Sequence, residues 1–157
     1  GFRRVSFGVQ DYNETVQKAI HRIQPFEKVK QVTDLARLIG YTSIGHDIIY
    51  GLPFQTIDDV INTIEKTKEL SPDRIAFYSY AHVPWLKGNG QRGYDEENLP
   101  NGKEKLMMYE EGKKVTGHDN PQRILTVGHA DSARCSGLPQ TLSNVAITAS
   151  LTKSKRL

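Results

Sequence analysis

The sequence predicts an α/β fold with parallel strands, built from about three consecutive βα units and followed by a poorly ordered C-terminal tail. Short apolar runs alternate with amphipathic stretches over residues 4–114, the order that produces right-handed βαβ units. A parallel sheet must be covered on both faces or closed into a barrel. With 157 residues the chain is short for a closed eight-unit barrel, which needs about 250, so a barrel formed by this chain would be partial. All 13 aromatic residues lie at or before Tyr109, which marks a change in composition there.

The first strand is predicted at residues 4–10, where apolar and small polar side chains alternate. The bulky apolar residues are expected to face the covering helices: Val5, Phe7 and Val9. The others are expected to line the lumen: Ser6, Gly8 and Gln10. Asp11 and Asn13 then mark the exit into a helix.

The first βα unit is completed by an amphipathic helix over residues 25–39, with Pro25 in its first turn and Gly40 at its end. Its predicted buried stripe comprises Phe26, Val29, Val32, Leu35, Ala36, Leu38 and Ile39. A strand at about residues 43–50 follows, within which His46 is expected to point at the helix layer.

The next helix is predicted to start at Thr56, where Asp59 completes a capping box, and to stop at Ser71-Pro72. A third strand follows at residues 74–80. Another helix is expected over residues 103–114. Residues 1–114 are therefore predicted to form the partial barrel, and residues 115–157 a divergent, poorly ordered tail rich in Ser, Thr, Gly and Lys.

Composition excludes several classes of function. The net charge of +3 arises entirely after Tyr109, and no basic stripe interleaves with aromatics, so nucleic-acid binding is not expected. No apolar run approaches the ~20 residues of a membrane span, so no membrane partner is expected. A single cysteine, Cys135, rules out a disulfide framework and favours the cytoplasm. The five histidines have no metal-ligand spacing, so no metal site is predicted in this chain.

Four stretches together resemble the oxygen-independent coproporphyrinogen III oxidases, which are radical S-adenosylmethionine (SAM) enzymes of haem biosynthesis. They are residues 4–11 (RVSFGVQD), Arg22 within residues 21–24 (HRIQ), residues 47–53 (DIIYGLP) with Gln55 and Thr56, and residues 78–84 (YSYAHVP). The resemblance spans residues 1 to about 114 in the family's order. It implies that the chain carries the fourth to sixth βα units of the barrel.

The resemblance also implies which cofactors the intact enzyme uses. The family binds SAM and a 4Fe-4S cluster, whose Cys-x-x-x-Cys-x-x-Cys loop is not in this sequence. The expected fragment therefore lacks the cluster-binding N-terminal part. By the same resemblance, the SAM-contacting positions are Gln10, Arg22, Asp47 and the backbone at Ala81.

The chemistry of these side chains suits that role. An arginine binds a carboxylate with two hydrogen bonds, a carboxylate favours an ammonium or sulfonium, and a glutamine both donates and accepts. Structural explanations remain open, since Gln10 also suits a polar strand end and Arg22 a solvated helix end. Asp47 is harder to explain structurally, because an acid beside Ile48 and Ile49 must be paired or solvated.

The function implied is that of a fragment of the oxidase, which decarboxylates two propionates of coproporphyrinogen III to vinyl groups. The isolated chain is expected to be inactive, and the intact enzyme to be monomeric. A related haem-chaperone branch shares part of the pattern, but Asp11 and residues 80–84 (YAHVP) favour the oxidase. A nonfunctional remnant is the third interpretation, and haem titration separates the chaperone from the oxidase.

Overall fold

The structure is a computed structural model that describes residues 2–83, 91, 93–116 and 124–126, the last three by backbone alone. The strands are β1 (Arg4–Gln10), β2 (Ser43–Tyr50), β3 (Arg74–Ser79) and β4 (Ile124–Thr126). The helices are α1 (Glu14–Ala19), α2 (Phe26–Leu38), α3 (Ile57–Glu69) and α4 (Gly102–Val115), with a 3₁₀ turn at Glu96–Asn98. The predicted alternation of strands and helices is confirmed.

The strands form one parallel sheet in the order β1-β2-β3-β4. The register places Gly8 beside Asp47, and Asp47 beside Ala76. In a parallel sheet the carboxyl ends of all strands lie at one edge, where the connecting loops gather. Between Gly8 and Gln10 the pairing of β1 with β2 shifts register, so that Gln10 pairs with Ile48 and Val9 is the extra residue of a bulge.

The core lies between the sheet and the helices that follow its strands. Its main cluster joins β2 and β3 to α3 and α4 through Ile48, Tyr50, Val60, Ile64, Ile75, Phe77 and Met108. Gly112 lets α4 approach the sheet, because a Cβ on it would lie 2.7 Å from Cζ of Phe77. The packing of α3 and α4 against β2 and β3 therefore sets the positions at which these two strands end.

The buried face of α2 is narrower than predicted. Val29 and Ala36 are buried as expected, together with Thr33, which was not in the predicted stripe. Phe26 is partly buried against Val29. The other four residues of that stripe are exposed: Val32 37%, Leu35 54%, Leu38 83% and Ile39 66%. The prediction was wrong for these four because α2 meets β1 and β2 through its small residues, and helical spacing alone does not set the width of the contact.

The predicted helix boundaries are close to those observed. The side chain of Asn13 accepts from the backbone of Thr15 and caps α1. Thr56 and Asp59 form the capping box of α3, as predicted. Pro25 lies at the N-cap of α2, one position before the helix rather than within its first turn.

In the described part of the tail there is a strand that the sequence did not predict. Ile124–Thr126 pairs with β3 in parallel, within a segment expected to lack regular structure. Residues with β propensity there extend a sheet whose edge at β3 would otherwise be unpaired. Most of the tail, with Cys135, lies outside the described residues, so its predicted disorder and the boundary at residue 114 stay predictions. Within the described part of the chain, no helix is long and apolar enough to cross a membrane.

Candidate functional site

Gln10 is the last residue of β1 and the most unusual residue at the carboxyl edge of the sheet. Its side chain is 3% exposed, yet neither Nε2 nor Oε1 has a hydrogen-bond partner. Its backbone has a φ of 65°, a region that non-glycine residues rarely adopt. An unpaired buried amide costs about 1–3 kcal/mol, and strained backbone of this kind clusters at functional sites. Gln10 therefore has the properties of a ligand-binding residue.

Gly8 makes room for the side chains of Gln10 and Arg22. A Cβ on Gly8 would lie 2.5 Å from Nε2 of Gln10 and 3.0 Å from Nη2 of Arg22. These two polar groups thus meet above the same backbone position of β1. Any larger residue at position 8 would push them apart.

Arg22 enters the site from the loop after α1. Its Nη2 donates to the carbonyl of Gly8 at 3.1 Å, and its Nε donates to the side chain of Gln24. Burial lowers the pKa of the guanidinium, and the nearby carboxylate of Asp47 acts in the opposite direction. Arg22 is held beside the lumen face of β1 as a half-buried cation.

Asp47 lies on the lumen face of β2, next to β1. Its Oδ1 accepts a hydrogen bond of 2.8 Å from the hydroxyl of Ser6. Burial raises the pKa of the Asp47 carboxyl, while Ser6, Arg74 and Arg22 counteract that rise. Asp47 is thus paired, as the sequence required, and a positively charged ligand group would stabilise its ionised form further.

Arg74 and Ser6 complete the surroundings of Asp47, and the sequence analysis assigned neither a role there. A Cβ on Gly45 would lie 2.8 Å from Oγ of Ser6 and 3.1 Å from Nη2 of Arg74. The Nε of Arg74 is buried without a hydrogen-bond partner. The signal that identifies Arg74 is strand parity, since it pairs with Gly45 and shares the face of Asp47.

Ala81 lies just after β3, so the structure places it across β2 from Gln10. Its carbonyl accepts from Nε2 of Gln91 at 2.9 Å, and Oε1 of Gln91 accepts from the N–H of Val83 at 2.8 Å. One amide therefore holds the backbone at residues 81–83. Gln10, Arg22 and Asp47 form one group, and Ala81 stands apart from it, beyond the end of β3.

A second polar network, not predicted from the sequence, joins the loops after β1 and β2. Nε2 of Gln55 donates to Oδ2 of Asp11 at 2.6 Å, and its Oε1 accepts from the N–H groups of Gly51 and Leu52. Burial raises the pKa of Asp11 to about 6, against the effect of its hydrogen bonds. This network fixes the residue that follows Gln10 and thereby positions the site.

The chemistry available is therefore that of binding. Two arginines flank one carboxylate, and an unpaired amide points into the same region, which suits a ligand that carries both charges and hydrogen-bonding groups. Among the described residues, no group of three metal-ligating side chains is present.

Comparison with known proteins gives this site a context. The family profile of the radical SAM superfamily matches residues 1–67. The oxygen-independent coproporphyrinogen III oxidase of Helicobacter pylori strain J99 is 53% identical over 110 residues, which cover 70% of this chain and 24% of that protein. This chain is a radical SAM relative of the oxygen-independent coproporphyrinogen III oxidases. The oxidase of Synechocystis is 46% identical over 108 residues, 69% of this chain and 23% of that protein.

Solved structures extend the relationship to these oxidases. The coproporphyrinogen III oxidase of Escherichia coli, a radical SAM enzyme, has a TM-score of 0.68 and 39% identity over 73% of this chain and 26% of its own. Elp3 of Methanocaldococcus infernus shares the fold alone, with a TM-score of 0.56 and 17% identity over 78% of this chain and 28% of its own. The predicted partial radical SAM barrel is confirmed, and the chain spans about a quarter of the length of the oxidases that it matches.

Proposed function

We propose that this chain forms the part of an oxygen-independent coproporphyrinogen III oxidase that binds SAM opposite the cluster. The observation that carries the proposal is the buried amide of Gln10, which has no partner and lies beside Arg22. A ligand with hydrogen-bonding groups would remove the cost of that unpaired amide. The similarity to the oxidases, 53% identity over 110 residues in the Helicobacter pylori enzyme, supports the identity of the ligand.

Each residue of the site has a distinct part in holding this cofactor. Arg22 supplies charge-assisted donors for the methionyl carboxylate, and Asp47 attracts the positively charged ammonium or sulfonium. The amide of Gln10 donates to and accepts from neutral polar atoms. The backbone at Ala81 supplies the contact from beyond the end of β3. When bound, SAM supplies the oxidising radical chemistry, and these residues orient it and exclude water.

The substrate proposed for the intact enzyme is coproporphyrinogen III, whose oxidative decarboxylation belongs to haem biosynthesis. The protein is proposed to act in the cytoplasm and to be monomeric when intact. The oxidase names of the relatives at 46% and 53% identity support this substrate over the haem-chaperone alternative.

Asp47→Asn tests the proposed role of charge in the site. Its side-chain oxygen still accepts from Ser6, but the negative charge is lost, so SAM affinity is expected to fall about fivefold to tenfold, or ~1 kcal/mol. Equilibrium dialysis with labelled SAM measures it. Asp34→Asn is the matched control, because Asp34 pairs with Lys30 on the exposed face of α2. An affinity unchanged in Asp47→Asn, or equally reduced in both variants, contradicts the proposal.

The residues present do not fit the 4Fe-4S cluster. The chain has one cysteine, whereas such a cluster takes three or four thiolate ligands. We expect this 157-residue chain to assemble no cluster after anaerobic reconstitution with iron and sulfide. The visible absorption spectrum and the iron content measure the outcome. Stable absorbance near 400 nm with about four irons per chain would refute the expectation.

A further inference from the structure

Lys105 reaches from α4 to the carboxyl edge of the sheet. Its Nζ donates to the carbonyl of Tyr80 at 2.7 Å. The N–H of Tyr80 in turn donates to the carbonyl of Tyr50, the last residue of β2, at 2.8 Å. The ammonium of Lys105 is therefore fixed where β2 and β3 end, one residue before Ala81.

Gly51 fixes the path of the lysine side chain. A Cβ on Gly51 would lie 2.5 Å from Cε of Lys105, 3.1 Å from Cδ and 3.2 Å from Cγ. Gly51 also has a φ of +83°, which disfavours other residues. The stem of Lys105 occupies the space that a side chain at position 51 would need, so the direction of the ammonium is set by packing.

The charge of Lys105 has no counterpart among the described residues. Lys114, on the same helix, forms an ion pair with Glu111, but no described carboxylate forms one with Lys105. Burial alone lowers the pKa of the Lys105 ammonium. The carbonyl of Tyr80 takes one of three N–H donors, which leaves a half-buried cation with donors to spare.

We propose that Lys105 is a carboxylate-binding residue, whose ammonium pairs with a carboxylate of a bound ligand at the carboxyl edge of β2 and β3. Two sources would present this group, the methionyl part of SAM and a propionate of the tetrapyrrole. The choice between these two sources rests on the function proposed above. The capacity of Lys105 to bind a simple carboxylate is independent of that function.

Sodium propionate tests this capacity directly. In the chain labelled with ¹⁵N-lysine, the Nζ signal of Lys105 is assigned from its loss in Lys105→Met. Propionate is expected to shift this signal along a saturating curve, beyond the shift caused by sodium chloride at equal ionic strength. Lys103, which is exposed on the same helix, is the control. Equal responses of Lys103 and Lys105 would overturn the proposal.

Paired ligands then identify the source of the carboxylate. SAM is compared with 5′-methylthioadenosine, which lacks the amino-acid part, and coproporphyrin III with its tetramethyl ester. In one of the two pairs, Lys105→Met is expected to lower the affinity for the carboxylate-bearing ligand about tenfold and to leave the affinity for its neutral partner unchanged. Lys105→Arg is expected to restore the affinity. Lys103→Met is expected to have no effect on it. Loss for SAM identifies the cofactor, and loss for coproporphyrin III identifies the substrate.

The two proposals fail in different ways. If the unsubstituted chain binds neither SAM nor coproporphyrin III while propionate still shifts Lys105, the proposed function is wrong and the carboxylate site stands. If either large ligand binds and Lys105→Met binds both members of each pair as well as before, Lys105 only packs against Gly51. If Lys105→Met loses affinity equally for both ligands of a pair, Lys105 is again only a packing residue. Either result overturns the inference.

Discussion

Replacing Arg22 by methionine is expected to weaken the binding of SAM to this chain by about 10- to 100-fold. Charge-assisted hydrogen bonds contribute about 1.5–3 kcal/mol, which corresponds to this range. Methionine keeps most of the unbranched stem and removes every donor, including those to Gly8 and Gln24. Equilibrium dialysis with labelled SAM measures the change in affinity.

Arg37→Met is the matched control for this experiment. Arg37 also holds a loop, because its Nη2 donates to the carbonyls of Leu70 at 2.8 Å and Ser71 at 2.7 Å. It belongs to α2 and makes no contact with the three residues of the site. If Arg37→Met reduces SAM affinity as much as Arg22→Met does, the effect is one of general stability and Arg22 is not a binding residue.

Replacing His46 by leucine is expected to make the fold resistant to acid. The imidazole is fully buried, and its Nε2 shares a hydrogen bond of 3.0 Å with the hydroxyl of Thr33. Burial, with a smaller effect of Arg37, lowers its pKa from 6.5 to about 4. His46→Leu should raise the free energy of unfolding at pH ~4.5 by about 2–3 kcal/mol relative to the unsubstituted chain, with a change within ~1 kcal/mol at pH ~8.

The sign follows from the two pKa values of His46. The native state prefers the neutral imidazole, so the stability contribution is complete above the unfolded value of 6.5 and is lost as the pH falls toward about 4. Leucine has no proton to bind, and Thr33 still donates to the carbonyl of Val29. Urea unfolding at a series of pH values measures this. Parallel pH profiles of the two proteins between pH ~7 and ~4.5 would contradict it.

In the same pH range, Asp11 changes the stability of the fold in the direction opposite to His46. Its native pKa of about 6 lies above the unfolded value of 3.8, so the fold loses stability as the pH rises through this interval. The effects of His46 and Asp11 on the pH dependence of the free energy of unfolding therefore partly cancel in the unsubstituted chain. The effect of His46 becomes visible only when the variants are compared.

Local sequence patterns predicted the features that depend on local chemistry. Alternation in residues 4–10 placed Ser6 and Gln10 in the lumen, and the structure shows Ser6 bonded to Asp47 on that face. The capping box at Thr56 was read correctly because its partners are three residues apart. Asp47 was assigned by the family resemblance, and the cost of burying an unpaired acid made a purely structural role harder to accept.

The features that the sequence did not predict depend on contacts between segments that are distant along the chain. Arg74 joins Asp47 only because β3 pairs with β2 in a register that no local pattern specifies. The Asp11–Gln55 bond spans 44 positions, and the stem of Lys105 packs on Gly51 across the sheet edge. Periodicity overestimated the buried face of α2 for the same reason, since the extent of burial is set by what lies opposite.

The unpaired amide of Gln10 is proposed to bind SAM, and its side-chain ¹⁵N–¹H₂ signals report on that binding. In the ¹⁵N-glutamine-labelled chain, with the assignment taken from Gln10→Leu, SAM is expected to shift both Gln10 protons along a saturating curve. The amide of Gln55, already bonded to Asp11, should move less. Saturating SAM binding that leaves the Gln10 signals unchanged, or no binding at millimolar SAM, would show that Gln10 is not a SAM-binding residue of this chain.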